Sequence, residues 1–98
     1  MEKKEQIKKK KKYIMPCLAH FYKKPREFVK GEMQYLYDSE GRKYLDCFAG
    51  VSVINCGHCN PEISSKVAKQ VQTLQHVCNI YLTENFVNLA ERLAQVTP

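Results

Sequence analysis

The residues best suited to chemistry are two thiols that flank a histidine, in the run Cys56-Gly57-His58-Cys59. In a thiol oxidoreductase the first cysteine of such a pair attacks a substrate disulfide, and the second resolves the mixed disulfide. That reaction favours a first cysteine at a helix N-terminus, where the helix dipole lowers the pKa of the thiol. Asn60 and Pro61 predict a helix that begins only after both cysteines. A thiol oxidoreductase acting through Cys56 and Cys59 is therefore a less favoured hypothesis.

Cysteine and histidine are also the ligands that zinc prefers. Cys56 with His58 or Cys59 would form one pair of ligands, and His76 with Cys78 a second pair. A closed structural site needs two well-formed pairs, and the second pair is tightly spaced at a predicted helix end. The simpler interpretation is that the glycine allows a tight turn, the histidine binds loop carbonyls and the cysteines fill small apolar spaces. We predict no metal site.

The rest of the chain shows no catalytic arrangement. It contains no Gly-x-Ser-x-Gly nucleophile motif and neither type of glycine-rich phosphate loop. The three histidines have no obvious carboxylate partner in the sequence: His20, His58 and His76. Residue types and spacing alone therefore predict no catalytic or cofactor-binding residue in these 98 residues.

Positive charge is concentrated at one end of the chain. Residues 1–12 hold seven lysines and two glutamates, a balance of +5 out of the formal net charge of +6, which leaves +1 for residues 13–98. Such a lysine run is typical of a solvated, disordered tail, and weak contact with nucleic acid or an anionic surface is the less favoured alternative. The run has no arginine and no interleaved aromatic residues, which nucleic-acid recognition favours. We therefore expect no nucleic-acid partner.

Apolar residues are too dispersed for a membrane protein. No apolar run approaches the roughly 20 residues that span a bilayer, and no apolar stretch follows the lysines as in a secretory signal. Five cysteines, an odd number, are most simply reduced thiols. They stand at positions 17, 47, 56, 59 and 78. We expect no membrane association and a cytoplasmic location.

The elements that must position these residues begin with an aromatic and basic arm. Residues 13–30 carry two prolines and no clean periodicity, which indicates an extended or partly helical arm. Residues 33–37 and 43–48 predict the two strands of a β-hairpin. Asp38 and Gly41 favour a type I turn between them, because Asp suits its first position and Gly its last. Residues 49–59 predict a loop.

Two amphipathic helices follow the hairpin. Asn60 and Pro61 favour a helix start, and four apolar residues at helical spacing predict one apolar stripe up to about His76: Ile63, Val67, Val71 and Leu74. Thr83 can cap the second helix. Its apolar face consists of Phe86, Leu89, Ala90, Leu93 and Val96. Such stripes need a surface to pack on, so the sequence favours a piece that completes itself against more protein.

Several short motifs follow one another in a specific order. They are Gly31-Glu32, Tyr35-Leu36-Tyr37-Asp38, Glu40-Gly41-x-x-Tyr44-Leu45-Asp46, Ala49-Gly50-Val51, Asn55-x-Gly57-His58-Cys59-x-Pro61, Tyr81-Leu82-Thr83-Glu84 and Leu89-Ala90-Glu91-x-Leu93. In this order they resemble the N-terminal segment of class III pyridoxal-phosphate-dependent aminotransferases, the ornithine, acetylornithine and 4-aminobutyrate type. The arm around Met15-Pro16 and residues 20–25 is similar to the alanine–glyoxylate aminotransferase 2 branch. Asn60 departs from the histidine that the family commonly has there.

The resemblance implies an α/β fold, α+β within this segment, from the small domain of a fold type I pyridoxal-phosphate transferase. It divides the chain into a tail (1–12), an arm (13–30) and a partial class III segment (31–98). In the family, Val51 and its neighbour Ser52 fall near the substrate, and Tyr81 falls in a second stretch that approaches the active site. Core packing for Val51 and interface packing for Tyr81 are equally open. The family forms homodimers.

The implied function is transfer of an amino group between an amino acid and a 2-oxo acid, with pyridoxal 5'-phosphate as cofactor. The family's phosphate-binding turn, its aspartate at the pyridine nitrogen and its Schiff-base lysine have no counterpart in these residues. We therefore expect this chain alone to be inactive. The alternative is an interaction piece, or one half of a split enzyme, that docks on a large-domain partner.

Overall fold

The computed structural model describes residues 3–18 and 21–98, so His20, which belongs to the arm resemblance, lies outside the described residues. The chain divides into two compact units, 1–61 and 62–98. The first contains α1 (Lys3–Tyr13), β1 (Phe28–Glu32), β2 (Tyr35–Asp38), β3 (Lys43–Leu45) and the short segment α2 (Ala49–Ser52). The second contains nearly all of α3 (Pro61–Thr73) and the whole of α4 (Glu84–Val96).

The lysine-rich segment forms a helix, so the prediction of a disordered tail is corrected. Lysine and glutamine are good helix formers, and the acidic first turn and basic last turn of α1 suit the helix dipole. Lys9 also pairs with Glu5 across one turn, with 2.8 Å between Nζ and Oε1. No residue of α1 is buried, and the Gln6 amide donates to the Glu27 carboxylate. The segment is therefore a solvated helix.

The hairpin prediction is confirmed, and the sheet has one strand more than predicted. The strands are antiparallel in the order β1-β2-β3. A β-turn lies where it is predicted, from Asp38 to Gly41, because the Gly41 amide donates to the Asp38 carbonyl at 3.0 Å. The unpredicted strand, β1, occupies the end of the predicted arm. Its sequence does not alternate between apolar and polar residues. It forms a strand because its backbone pairs with that of β2.

Asp38 organises the hairpin turn. Its carboxylate accepts hydrogen bonds from the Glu40 and Arg42 amides, the Arg42 guanidinium and the Tyr44 hydroxyl, at 2.8–3.0 Å. Burial opposes ionisation, but these hydrogen bonds, Arg42 foremost, outweigh it and hold the pKa of Asp38 well below its usual value. Within the described residues Asp38 is the one buried side chain, at 3% exposure, and no hydrophobic side chain is buried.

Both predicted helices are present in the second unit. α3 starts at Pro61 as predicted but ends at Thr73, before the predicted end at His76. The Leu74 amide still donates to the Gln70 carbonyl at 2.8 Å, so the helical hydrogen bonding reaches Leu74. Thr83 stands at the N-cap position of α4 with extended backbone, and its side chain makes no capping hydrogen bond. The predicted apolar stripes are exposed, for example Val67 at 55% and Leu93 at 51%.

None of the helices in the described part of the chain has the length and apolar character needed to cross a membrane.

Candidate functional site

The predicted substrate residues Val51 and Ser52 lie in an unusual backbone turn. Ala49, Gly50, Val51 and Ser52 have φ angles of 51°, 59°, 66° and 61°, so the segment predicted as a loop is one turn of left-handed helix. Only glycine adopts this conformation freely, and each other L-residue costs about 1–2 kcal/mol there. Strain of this kind persists only where the surroundings fix the backbone, and it clusters at functional sites. Val51 is 71% exposed at this turn.

The Asp46 side chain binds the backbone amides at the start of the turn. Oδ1 of Asp46 accepts hydrogen bonds from the Phe48 and Ala49 amides, each at 2.9 Å. The turn is closed by the Val53 amide, which donates to the Ala49 carbonyl at 2.9 Å. The Asp46 amide itself donates to the Gln34 carbonyl at 2.8 Å, which ties the carboxylate to the sheet. Asp46 therefore links the sheet to the strained turn.

His58 contacts the other oxygen of the same carboxylate. Its Nε2 lies 2.6 Å from Asp46 Oδ2, and the two side chains are 19% and 9% exposed. A carboxylate only accepts hydrogen bonds, so Nε2 of His58 is the donor in this contact. The His58 contact, followed by the Ala49 and Phe48 amides, lowers the pKa of Asp46 against a smaller opposing effect of burial.

The backbone around His58 is fixed as well. Met33 and His58 form an antiparallel bridge, with N···O distances of 2.7 and 2.8 Å. A Cβ on Gly31 would lie 2.8 Å from the His58 Cβ, so only glycine leaves room for the imidazole there. Gly57 has a φ of +89°, and a Cβ there would meet Met33 at 3.1 Å. Met33, Asp46, Ala49 and His58 are among the residues that line an open depression of about 510 Å³.

Tyr81, the third predicted substrate residue, lies in the second unit. Its amide donates to the Cys78 carbonyl at 3.0 Å, and its side chain is 63% exposed. It lines a depression of about 370 Å³ together with Gln70, His76 and Phe86. Both Val51 and Tyr81 are exposed, so neither is core packing within its own unit.

The structure gives the cysteine hypotheses no support. All five cysteines are free and exposed. Cys56 and Cys59 precede α3, so neither begins a helix whose dipole would activate a thiol, and the His58 ring between them is bound to Asp46. Residues 3–18 and 21–98 contain no cluster of three or more side chains able to hold a metal ion.

The Asp46–His58 pair is the part of the site that sequence reasoning missed. Twelve residues separate the partners, and the sequence suggested no carboxylate partner for any histidine. The sequence places Asp46 at the end of a hairpin strand and His58 after a glycine in the next loop, but only the structure shows that this loop returns to the sheet. The interpretation that His58 binds loop carbonyls is wrong for its ring, which binds a carboxylate.

Comparison with known proteins assigns this arrangement to a class of enzymes. The family model for class-III aminotransferases matches residues 18–98, and the chain belongs to this family. The resemblance carried by the ordered motifs and the α/β fold class are thus confirmed.

Individual relatives agree with this assignment. Alanine–glyoxylate aminotransferase 2 homolog 2, mitochondrial, from Arabidopsis thaliana is 42% identical over 92 residues, which cover 94% of this chain and 19% of the relative. Acetylornithine aminotransferase from Methanosarcina acetivorans is 37% identical over 91 residues, 93% of this chain and 22% of the relative. The crystal structure of an (S)-enantioselective omega-transaminase from Thermomicrobium roseum matches with a TM-score of 0.80 and 28% identity. That match covers 100% of this chain and 23% of the other. The chain thus spans about a fifth of the length of the curated relatives it matches.

Proposed function

We propose that these residues form the N-terminal, substrate-side part of a pyridoxal-phosphate-dependent transaminase. The whole enzyme would move an amino group between an amino acid and a 2-oxo acid. The observation that carries this proposal is the class-III match over residues 18–98. Pyridoxal phosphate supplies the electron sink for such transfers, and the protein supplies binding and orientation.

The residues present do not themselves fit the cofactor. A Schiff-base lysine needs an enclosed cradle, whereas Lys43, Lys66 and Lys69 are exposed. The Lys43 ammonium lies 3.7 Å from the centroid of the Tyr35 ring, and Lys66 pairs with Glu62 at 3.0 Å. We therefore assign these residues no step that runs through the cofactor. The proposed contribution of residues 18–98 is to present Val51, Ser52 and Tyr81 to the substrate.

A chimaera tests this function. Residues 18–98 replace the matched segment of the Arabidopsis relative, and alanine–glyoxylate transfer is measured with added pyridoxal phosphate. We expect the chimaera to bind the cofactor and to transfer amino groups, and the purified 98-residue chain to show no turnover. A chimaera that binds the cofactor without transferring amino groups would contradict the proposal. So would turnover by the 98-residue chain alone.

Assembly as a homodimer is a further part of this proposal. Its support is the exposure of the apolar faces of α3 and α4 and of arm residues such as Phe21, which is 99% exposed. Sedimentation of the chimaera should give the mass of a dimer. The alternative of a docking piece shares these faces, and co-purification of a separate large-domain partner with the chain would favour it.

The cytoplasmic location also stays a proposal, supported by five unpaired cysteines. The Arabidopsis relative is named as mitochondrial. Imaging of the tagged product of the intact gene distinguishes the two compartments.

A further inference from the structure

The strained turn Ala49–Ser52 lacks any visible support from its own side chains. Three of its four residues are not glycine, and Val51 is β-branched, which makes the left-handed conformation unfavourable. Val51 is largely exposed, so apolar packing within this unit does not hold the turn. Backbone hydrogen bonds such as that from the Val53 amide to the Ala49 carbonyl, at 2.9 Å, close the turn, and the side-chain contacts that fix it must come from its flanks.

The flank that enters the turn is held by one carboxylate oxygen. The Phe48 and Ala49 amides both donate to Asp46 Oδ1, and Ala49 is the first left-handed residue. If the carboxylate rotated about its side-chain torsion, both hydrogen bonds would be lost together. The orientation of the Asp46 carboxylate therefore determines whether the entry to the turn is held by side-chain hydrogen bonds.

His58 fixes that orientation from the opposite side. Its Nε2 binds Oδ2 at 2.6 Å, while its backbone is bridged to Met33 and its ring lies over Gly31. The imidazole therefore has little freedom to move, and it aims Oδ1 at the two turn amides. Its hydrogen bond goes to Asp46 and not to Val51 or Ser52, so its effect on them passes through Asp46.

We propose that Asp46 and His58 are a positioning pair that holds the left-handed turn and so sets the placement of Val51 and Ser52 toward the substrate. Both residues act through the backbone of the turn, and neither is a catalytic residue. The statement about the substrate rests on the proposed function, whereas the statement about the turn does not.

Amide hydrogen exchange of the full 98-residue chain, resolved by NMR, tests the hold on the turn. His58→Ala should accelerate exchange of the Phe48 and Ala49 amides by about tenfold, the effect of losing one charge-assisted contact. The β2 and β3 amides should change much less. His58→Gln keeps a side-chain donor and should restore part of the protection, and His76→Ala serves as the matched control in the second unit. Equal acceleration at all sheet amides, or unprotected Phe48 and Ala49 amides in the unmodified chain, would overturn the proposal.

Kinetics of the chimaera test the substrate part. His58→Ala should raise KM for the amino donor more than it lowers kcat, and His58→Gln should move KM back. Selective loss of turn protection with an unchanged KM would overturn the substrate part of the proposal. A wild-type chimaera without transaminase activity would instead refute the proposed function, and the exchange data would still decide whether the pair holds the turn.

Discussion

The two units of this chain are stabilised in opposite ways. In the first unit, polar contacts organise the sheet and its loop: Asp38 collects four hydrogen bonds at the hairpin turn, and Asp46 joins the sheet to the strained turn. In the second unit, α3 and α4 are regular helices whose apolar faces remain exposed. The conformation of the first unit is therefore held by polar contacts within that unit. The second unit offers apolar helix faces that only further protein can bury.

Of the substitutions considered for the two units, the largest effect is expected on the apolar face of α4. Leu89 is 58% exposed, so Leu89→Lys should change the stability of the 98-residue chain by no more than about 0.5 kcal/mol. In the chimaera the same change would bury a charge, and cofactor-loaded protein should fall about tenfold or more. Asn88→Lys adds the same charge on the polar face and is the control. Cofactor absorbance per mole of purified chimaera is the measurement, and equal loss for both variants would contradict the prediction.

The next effect concerns the hairpin turn of the first unit. Asp38→Ala removes the acceptor of four hydrogen bonds, including those from Arg42 Nε and the Tyr44 hydroxyl. We expect loss of the β2–β3 cross-strand signals in NMR spectra of the chain, with the helical signals of α4 little changed. Glu40→Ala removes an exposed partner of Arg42 and should leave the sheet intact. Survival of the hairpin in Asp38→Ala would show that its polar contacts do not organise it.

Acid should act on the first unit in the same direction. The pKa values of Asp38 and Asp46 are lowered in the fold, so both stabilise it above the ordinary aspartate pKa of about 4. This stabilisation is lost as pH falls below about 4 and through the lowered values. Protection of the sheet amides should therefore decline between about pH 4 and pH 2, and less so in Asp38→Asn. Protection that stays constant over this range would contradict the account.

The smallest effect separates two glycines with left-handed backbone. Gly41 has φ +80° and open space where a Cβ would lie, whereas a Cβ on Gly57 would crowd Met33. Gly41→Ala should cost about 1–2 kcal/mol of unfolding free energy. Gly57→Ala should cost more, because it also disturbs the Met33–His58 bridge. Thermal unfolding of the two chimaeras measures the difference. Equal costs would show that the Met33–His58 bridge does not add to the effect of Gly57→Ala.

Elements with local sequence signals could be predicted, and elements that depend on distant pairing could not. The hairpin turn, the start of α3 and the place of α4 follow from local signals, namely Asp38 with Gly41, Asn60 with Pro61, and Thr83. Strand β1 depends on pairing with β2, which local alternation does not encode. The helix α1 was missed because its lysine run also fits disorder.

The site shows the same division. Val51, Ser52 and Tyr81 were predicted from the family resemblance, and all three are exposed in the structure. Their contact with the substrate is a proposal. The left-handed turn and the Asp46–His58 pair could not be predicted, because both depend on a loop that returns to the sheet and is bridged at Met33. Contacts that join distant residues through backbone bridges leave little trace in periodicity or spacing.

Polar contacts within the first unit hold its sheet and loop, whereas the apolar faces of α3 and α4 need further protein to be buried. Residue-resolved amide exchange, measured on the 98-residue chain and on the chimaera, tests this claim most directly. We expect protection to rise far more for the amides of α4 than for those of β2 and β3 when the chain becomes part of the chimaera. An equal rise in both units, or a larger rise in the sheet, would contradict it.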